Sequence, residues 1–406
     1  MIILQVNVNA NWASTGRIAE DIGIAAQEAG FESWIAYGRH AKPSSSRLIK
    51  IGSKWNVWEH VLESRLFDNH GLASRGATKN LIKDVQRIRP DIIHLHNIHG
   101  YYLNYEILFD YLSKADIPVV WTLHDCWSFT GHCSFFDIVK CDQWKKQCSN
   151  CPAVHLYPQC IGKGNVTNNF NKKKRIFNSV KKLTIVSVSR WLDELVNESF
   201  LKAQPHFVIH NGIDTETFSP VRNTDAIRER HGLKANETML LGVASPWSDR
   251  KGLSDFIELG KRLPSSRKIV LIGLTKKQMQ GLPSNMIGLE RVDSASELAS
   301  YYSAADIVLN LSREESFGLA SVEGFSCGTP GIGYNSTATP ELFTEDTGII
   351  VSEGDIDGLG KAVELISSRG KSFYSENCRK HAIALFDKKD RLHDYIDLYH
   401  KILKTA

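Results

Sequence analysis

Asp306-Ile-Val-Leu-Asn-Leu311-Ser-Arg-Glu-Glu315-Ser-Phe-Gly318-Leu-Ala-Ser-Val-Glu323-Gly-Phe-Ser-Cys-Gly-Thr-Pro330 reads as a strand, a loop and a helix in succession. Its first six residues are a short apolar run of the kind buried within a parallel sheet. Ser316 is a residue type that caps helices, and the expected helix runs through Ser326 and stops at Cys327-Gly-Thr-Pro330. Phe317, Gly318 and Leu319 then present backbone N–H groups at a helix N-terminus. Roughly half a positive charge and unpaired donors there suit a diphosphate without a metal. Glu315 stands beside that anion site, and Glu323 is expected about 10 Å further along the helix at 1.5 Å per residue. The spacing suits one carboxylate on a hexose and the other on a ribose.

Working outward, strand-like runs alternate with helical stretches along the whole chain. They are Ile2–Val8, Ser33–Tyr37, Ile92–His96, Val119–Leu123 and Thr184–Val188, then Met239–Ala244, Lys268–Ile272, Met286–Leu289, Ile307–Leu311 and Gly331–Tyr334. This is the rhythm of α/β folds with parallel sheets covered by helices. The series breaks near Gln204-Pro205, so an N-terminal domain is expected over 1–205 and a second over 206–387. The last stretch, 388–406, has helical spacing and is expected to return to the first domain. A chain of 406 residues exceeds the size at which one core stops growing, which agrees with two domains. A net charge of +4 is too small to argue for nucleic acid, and 42% hydrophobic with 23% charged residues is ordinary globular composition. The opening Met1-Ile-Ile-Leu-Gln-Val lacks the basic leader of a signal peptide, and no run approaches a membrane span, so a cytoplasmic location is expected.

Several residues fall where open α/β sheets bind ligands, at the carboxyl ends of strands. Arg250 and Lys251 follow the second domain's first strand, and two fixed cations beside a helix N-terminus can neutralise a leaving diphosphate. His124-Asp125 closes Val119–Leu123, and the bland reading of His124 is a packed histidine bonded to Asp125. His96 and His99 lie at another strand end, among Tyr101 and Tyr102, where an acceptor sugar could rest. The first loop contains no G-x-G-x-x-G, which argues against a dinucleotide oxidoreductase. Cys133, Cys141, Cys148 and Cys151 sit in a cysteine-rich insertion at 126–160, with the Cys-x2-Cys spacing of a closed structural zinc site. Free thiols or disulfides are the alternatives, the last disfavoured in a reducing compartment. Lys172-Lys-Lys-Arg175 with Lys181-Lys182 forms a basic patch that could touch the inner face of the plasma membrane or be a solvated helix face.

The ordered set Ser14-Thr-Gly16-Arg17-Ile18, Thr122-Leu-His124-Asp125, Ser187-Val-Ser189-Arg190, His210-Asn-Gly212-Ile-Asp214, Arg250-Lys-Gly252 and Glu315 to Glu323 resembles the retaining GT-B glycosyltransferases of family 4, glycosyl transferases group 1. Sucrose synthase and phosphatidylinositol mannosyltransferase belong to that family. Through Trp121-Thr-Leu-His-Asp-Cys-Trp-Ser-Phe-Thr-Gly-His-Cys133 the chain is most like bacterial enzymes of exopolysaccharide and capsule assembly. The resemblance implies two Rossmann-like domains facing a central cleft. It implies transfer of a sugar from a UDP- or GDP-sugar to a saccharide or lipid-linked acceptor, with retention and with no metal required. On this basis His124 lies against the donor sugar, Gly16 approaches the donor phosphate, and the backbone around Arg291 and Val292 holds the base. A nucleotide-sugar 2-epimerase or a non-catalytic nucleotide-sugar-binding subunit could share the architecture.

Overall fold

The computed structural model describes residues 1–405. The chain divides into two compact units, Met1–His210 with Leu392–Ala406, and Asn211–Arg391. The break falls within a few residues of the Pro205 boundary read from the sequence.

Unit 1 is built on seven parallel strands: β1 (Ile2–Asn7), β2 (Glu32–Tyr37), β3 (Arg47–Lys50), β4 (Ile92–Leu95), β5 (Val119–Leu123), β6 (Leu183–Ser187) and β7 (His206–Val208), ordered β3-β2-β1-β4-β5-β6-β7. β1, β4, β5 and β6 are almost wholly buried, because crossover helices cover both faces of a parallel sheet. The C-terminal helix Lys388–Thr405 enters this core through Tyr395 and Tyr399. Tyr399 Oη lies 2.6 Å from His94 Nδ1 and Tyr395 Oη 3.3 Å from Thr122 Oγ1, so the expected return of the last helix is made by buried polar contacts as well as apolar ones.

Unit 2 has six parallel strands: β8 (Thr238–Val243), β9 (Arg267–Ile272), β10 (Met286–Leu289), β11 (Ile307–Asn310), β12 (Gly331–Tyr334) and β13 (Gly348–Val351), ordered β10-β9-β8-β11-β12-β13. Its core gathers Met239, Leu241, Val270, Ile272 and Val308 with Tyr301 and Tyr302. Three strands have no counterpart in the sequence reading: β3, β7 and β13. β3 is largely exposed and β7 is three residues long and only half-buried, so neither carries an apolar signature. In both sheets the strand order reverses beside the first strand of the unit, between β1 and β4 and between β8 and β11. Ligands of open α/β sheets bind at such switch points.

Candidate functional site

In unit 2 three loops interlock at the carboxyl ends of β8, β11 and β12. The chain leaving β8 makes a tight turn at Asp249–Lys251, followed by Gly252 at φ +73°. A Cβ on Gly252 would collide with the Leu311 carbonyl, so glycine is what lets this loop close on the end of β11. Arg250 Nη1 donates to the Glu314 carbonyl at 2.8 Å, and the Arg313 N–H donates to the Arg250 carbonyl at 2.9 Å. Arg313 in turn grips both oxygens of Asp255, at 3.0 and 2.8 Å, and Tyr334 donates to the same carboxylate at 3.0 Å. The segment Asn335–Glu341, to which the sequence alone attaches no role, braces the third side. Ser336 donates to the Arg313 carbonyl, and the Glu315 N–H donates to Thr337 Oγ1 at 2.9 Å.

This frame sets Lys251 against Glu315 as an ion pair, each side chain 18% exposed. Burial pushes the Glu315 carboxyl up. The Lys251 ammonium and its hydrogen bond, the Arg250 charge and the Ser312 hydroxyl outweigh it, and the group lies below its ordinary range, ionised at neutral pH. The helix that follows is Leu319–Ser326, shorter at its start than expected, and Ser316 does not cap it. Gly318 is the N-cap at φ +103°, a conformation side chains rarely adopt, so the turn into the helix depends on glycine. Glu315 therefore lies on the loop. Glu323 is four residues into the helix, a rise of about 6 Å rather than 10 Å, and accepts a hydrogen bond from Tyr302 Oη at 2.8 Å. Arg291 is exposed beyond β10, with Val292 packed on the unit 2 core.

In unit 1 a chain of polar contacts runs inward from His124, which follows β5. His124 Nε2 lies 3.2 Å from His96 Nδ1, and His96 Nε2 lies 3.0 Å from Gln5 Oε1, while Gln5 Nε2 donates to the Ala19 carbonyl at 2.7 Å. The direction of every link follows from its inner end. A carbonyl only accepts, so the amide NH2 of Gln5 faces Ala19 and its Oε1 faces His96. His96 Nε2 then carries the hydrogen. Burial, with His94 and His124 nearby, holds His96 well below its ordinary pKa, so it is neutral and its Nδ1 is an acceptor. Burial also lowers His124 to about 4, against the opposing pull of Asp125, so it too is neutral. It donates from Nε2 and keeps a lone pair on Nδ1. A small cavity of about 10 Å³, the space of one water, is lined by His99, Thr122, His124, Asp125 and Ser128. The Ser128 hydroxyl is buried without a partner.

Several expectations are corrected here. Asp125 does not bond His124. It accepts from His99 Nε2 at 2.8 Å and from the Trp127 N–H at 2.9 Å. Burial raises its carboxyl, but His99, the Trp127 amide and His124 together leave it below the usual carboxylate range. His96 has both ring nitrogens engaged and is 1% exposed, so it is a positioning residue rather than an acceptor contact. His99 bridges Asp125 to the Tyr157 hydroxyl at 3.2 Å, from inside the cysteine-rich insertion. Gly16 lies within the helix Ala13–Glu28, where a Cβ would press on Asn9 at 3.2–3.3 Å, so its close approach is to its own loop.

Two family descriptions match the chain, Glycosyltransferase Family 4 over residues 15–217 and Glycosyl transferases group 1 over residues 223–383. The chain belongs to glycosyltransferase family 4. WcaC of Escherichia coli K12, named for a glycosyl transferase role in colanic acid biosynthesis, is 25% identical over 99% of this glycosyltransferase and 100% of its own length. Sucrose-phosphate synthase from Thermosynechococcus elongatus superposes with a TM-score of 0.73 at 17% identity, each chain covered completely. HepE from Anabaena in complex with UDP-glucose gives 0.66 at 15% identity, again over both whole chains. The fold is thus that of GT-B glycosyltransferases.

The insertion of this glycosyltransferase holds free thiols, and no cysteine is in a disulfide. Cys133 is hydrogen-bonded to Cys151, with Cys148 close by and accepting the Gly131 N–H at 3.3 Å. Among the described residues no three His, Cys, Asp or Glu side chains are arranged to hold a metal ion, so the expected zinc tetrahedron of Cys133, Cys141, Cys148 and Cys151 is not assembled in this geometry. Of the basic patch, Lys174, Arg175 and Lys181 are exposed, and the other three are engaged within the fold. Lys173 is buried, donating to the Trp127 and Thr130 carbonyls at 2.7 and 3.1 Å, and Lys172 and Lys182 pair with Glu106 and Asp116. Among the described residues no helix is long and apolar enough to cross a membrane.

Proposed function

We propose that the enzyme transfers a hexosyl group from a nucleotide diphosphate sugar to a saccharide or lipid-linked acceptor during assembly of a bacterial surface polysaccharide, with retention at the anomeric carbon. The observation that carries this reading is the Lys251–Glu315 pair, flanked by Arg250 and seated against the N-terminus of Leu319–Ser326 at the unit 2 switch point. End-to-end similarity to a protein named for colanic acid biosynthesis supports the pathway class. The UDP-glucose complex of HepE supports the donor class.

Under this reading Arg250, Lys251 and the helix N-terminus stabilise the negative charge that develops on the departing diphosphate, and the transfer needs no metal. Glu315 and Glu323 accept hydrogen bonds from sugar hydroxyls. In unit 1, His124 Nδ1 is available as a neutral acceptor for a hydroxyl hydrogen. The bond from the anomeric carbon to the phosphate oxygen breaks, the acceptor oxygen bonds to the same face, and its proton passes to the departing phosphate.

The test is calorimetric binding of UDP and GDP with and without EDTA, followed by incubation of the matching sugar nucleotide with saccharide acceptors. Binding of one nucleotide despite chelation, and an acceptor-dependent product of unchanged anomeric configuration, is expected. Binding only with added divalent metal, an inverted product, or conversion of the donor to its C2 epimer without acceptor overturns the proposal.

A further inference from the structure

Lys173 carries a charge that the fold buries without giving it a carboxylate. It stands on the helix Val166–Phe177 and is 1% exposed. Besides its bonds to the Trp127 and Thr130 carbonyls, its ammonium lies 3.4 Å from the centre of the Trp127 ring. It forms no ion pair among the described residues. Taking an ammonium out of water costs several kcal/mol, which two carbonyls and a ring offset only in part. Burial accordingly lowers Lys173 to about 7, while Asp68, Cys133, Cys148 and Asp125 pull it upward. His70 also faces it, and burial keeps that ring neutral with help from its neighbouring histidines and the Lys173 charge.

What the ammonium holds is the short turn Trp127–Phe129, which begins three residues after His124. That turn shapes the site in three ways. The Trp127 N–H donates to Asp125 Oδ1 at 2.9 Å. The Trp127 ring lies 5.3 Å from the ring of His99, whose Nε2 donates to Asp125 Oδ2 at 2.8 Å. Ser128 lines the one-water cavity together with Thr122 and His124. Each Asp125 oxygen thus has one partner, so the carboxylate is fixed although it is the residue next to His124. Burial lowers His124, and Asp125 opposes it. A carboxylate free to swing onto the imidazole would favour the imidazolium and remove the lone pair on Nδ1. The other titratable groups around His124 are His94, His96 and His99, and none of them brings a second negative charge.

We infer that Lys173 is a positioning residue for the transfer: by clamping the carbonyls of Trp127 and Thr130 it keeps the Trp127 N–H on Asp125, and so keeps Asp125 off the His124 ring. Buried as it is, it acts through the turn and does not touch substrate. The role rests on the reading of His124 as a neutral acceptor, whereas the clamp itself is measurable at the Trp127 amide without any turnover.

The test compares the full chain with K173M, K173R and H124A. Amide hydrogen exchange over residues 124–130 should be at least about tenfold faster in K173M, with β4 and β5 unchanged. K173R, which keeps the charge and the donors, should regain at least about half of the lost protection. With the donor chosen by nucleotide binding and a saccharide acceptor, kcat of K173M should fall at least about tenfold while the donor KM stays within about twofold, since the donor grip lies in unit 2. Wild-type exchange in K173M, or a kcat within about threefold of wild type, would overturn the role. Fast exchange spread through β4 and β5 would overturn it too, by making Lys173 a general stabiliser of unit 1. H124A with wild-type turnover would sink the reading of His124 and this role with it, whereas an inactive H124A beside an unaltered K173M sinks the clamp alone.

Discussion

Acidification should dismantle unit 1 before unit 2, because unit 1 buries neutral histidines. Burial lowers His60 and His94 to about 3 and His124 to about 4, and holds His70 and His96 well below the ordinary value. In the unfolded chain these groups titrate near 6.5. As pH falls below that value the unfolded state takes up protons that the folded state refuses, so stability is intact above about pH 6.5 and is lost progressively below it. At pH 5 each of the three histidines with a value has given up roughly 2 kcal/mol, about 6 kcal/mol together, and His70 and His96 act in the same direction. That is comparable to the whole stability of a domain, roughly 5–15 kcal/mol. In unit 2 only His231 is lowered, by burial and by Arg230. The assay is built into the sequence: of nine tryptophans only Trp247 lies in unit 2, so tryptophan emission reports unit 1. Its melting temperature should fall on the order of 15 °C between pH 7 and pH 5. A change below about 5 °C would mean that these histidines are solvated and protonatable in the fold, and the tautomer assigned to His124 would fall with them.

Lys251→Met and Glu315→Gln should each lower kcat at least about a hundredfold. Each should also destabilise unit 2 by about 1–3 kcal/mol, with the double variant recovering part of the stability but none of the activity; turnover within threefold of wild type in either single variant removes the pair from the site. Gly318→Ala puts a Cβ on a backbone at φ +103°, and a loss of about 1–2 kcal/mol with weaker nucleotide binding is expected from melting and calorimetry. Cys151, lowered to about 7 chiefly by its hydrogen bond from Cys133, should be the first cysteine alkylated at pH 7, since that same bond and then burial push Cys133 the other way. Mass spectrometry showing Cys133 modified as fast as Cys151 would contradict that order.

The alternation of strand and helix, the strand–loop–helix around Glu315, and the placement of Arg250, Lys251 and His124 at strand ends were all legible from local pattern. Those features depend on neighbours within a few residues, where apolar runs, turn residues and glycines carry their own conformational preferences. Edge strands such as β3 escaped because an exposed strand needs no apolar alternation. The pairing of Asp125 with His99, 26 positions away, escaped because spacing says nothing about which of two nearby histidines a carboxylate meets. Lys173 escaped for the same reason. Nothing beside it in sequence foretells that the Trp127 and Thr130 carbonyls will enclose its ammonium group.

By itself, then, the sequence determined the fold class, the family and the position of Arg250, Lys251 and Glu315 beyond the strand ends of unit 2, since each is written in contiguous segments. Only tertiary structure decided which nitrogen of His124 is an acceptor, because that depends on a relay through His96 and Gln5 to the Ala19 carbonyl from three other segments. The same holds for the helix Lys54–Phe67. Apolar residues fall on more than one side of it, so its sequence does not announce which face turns inward, and the surrounding partners choose the one that buries His60 and Ser64.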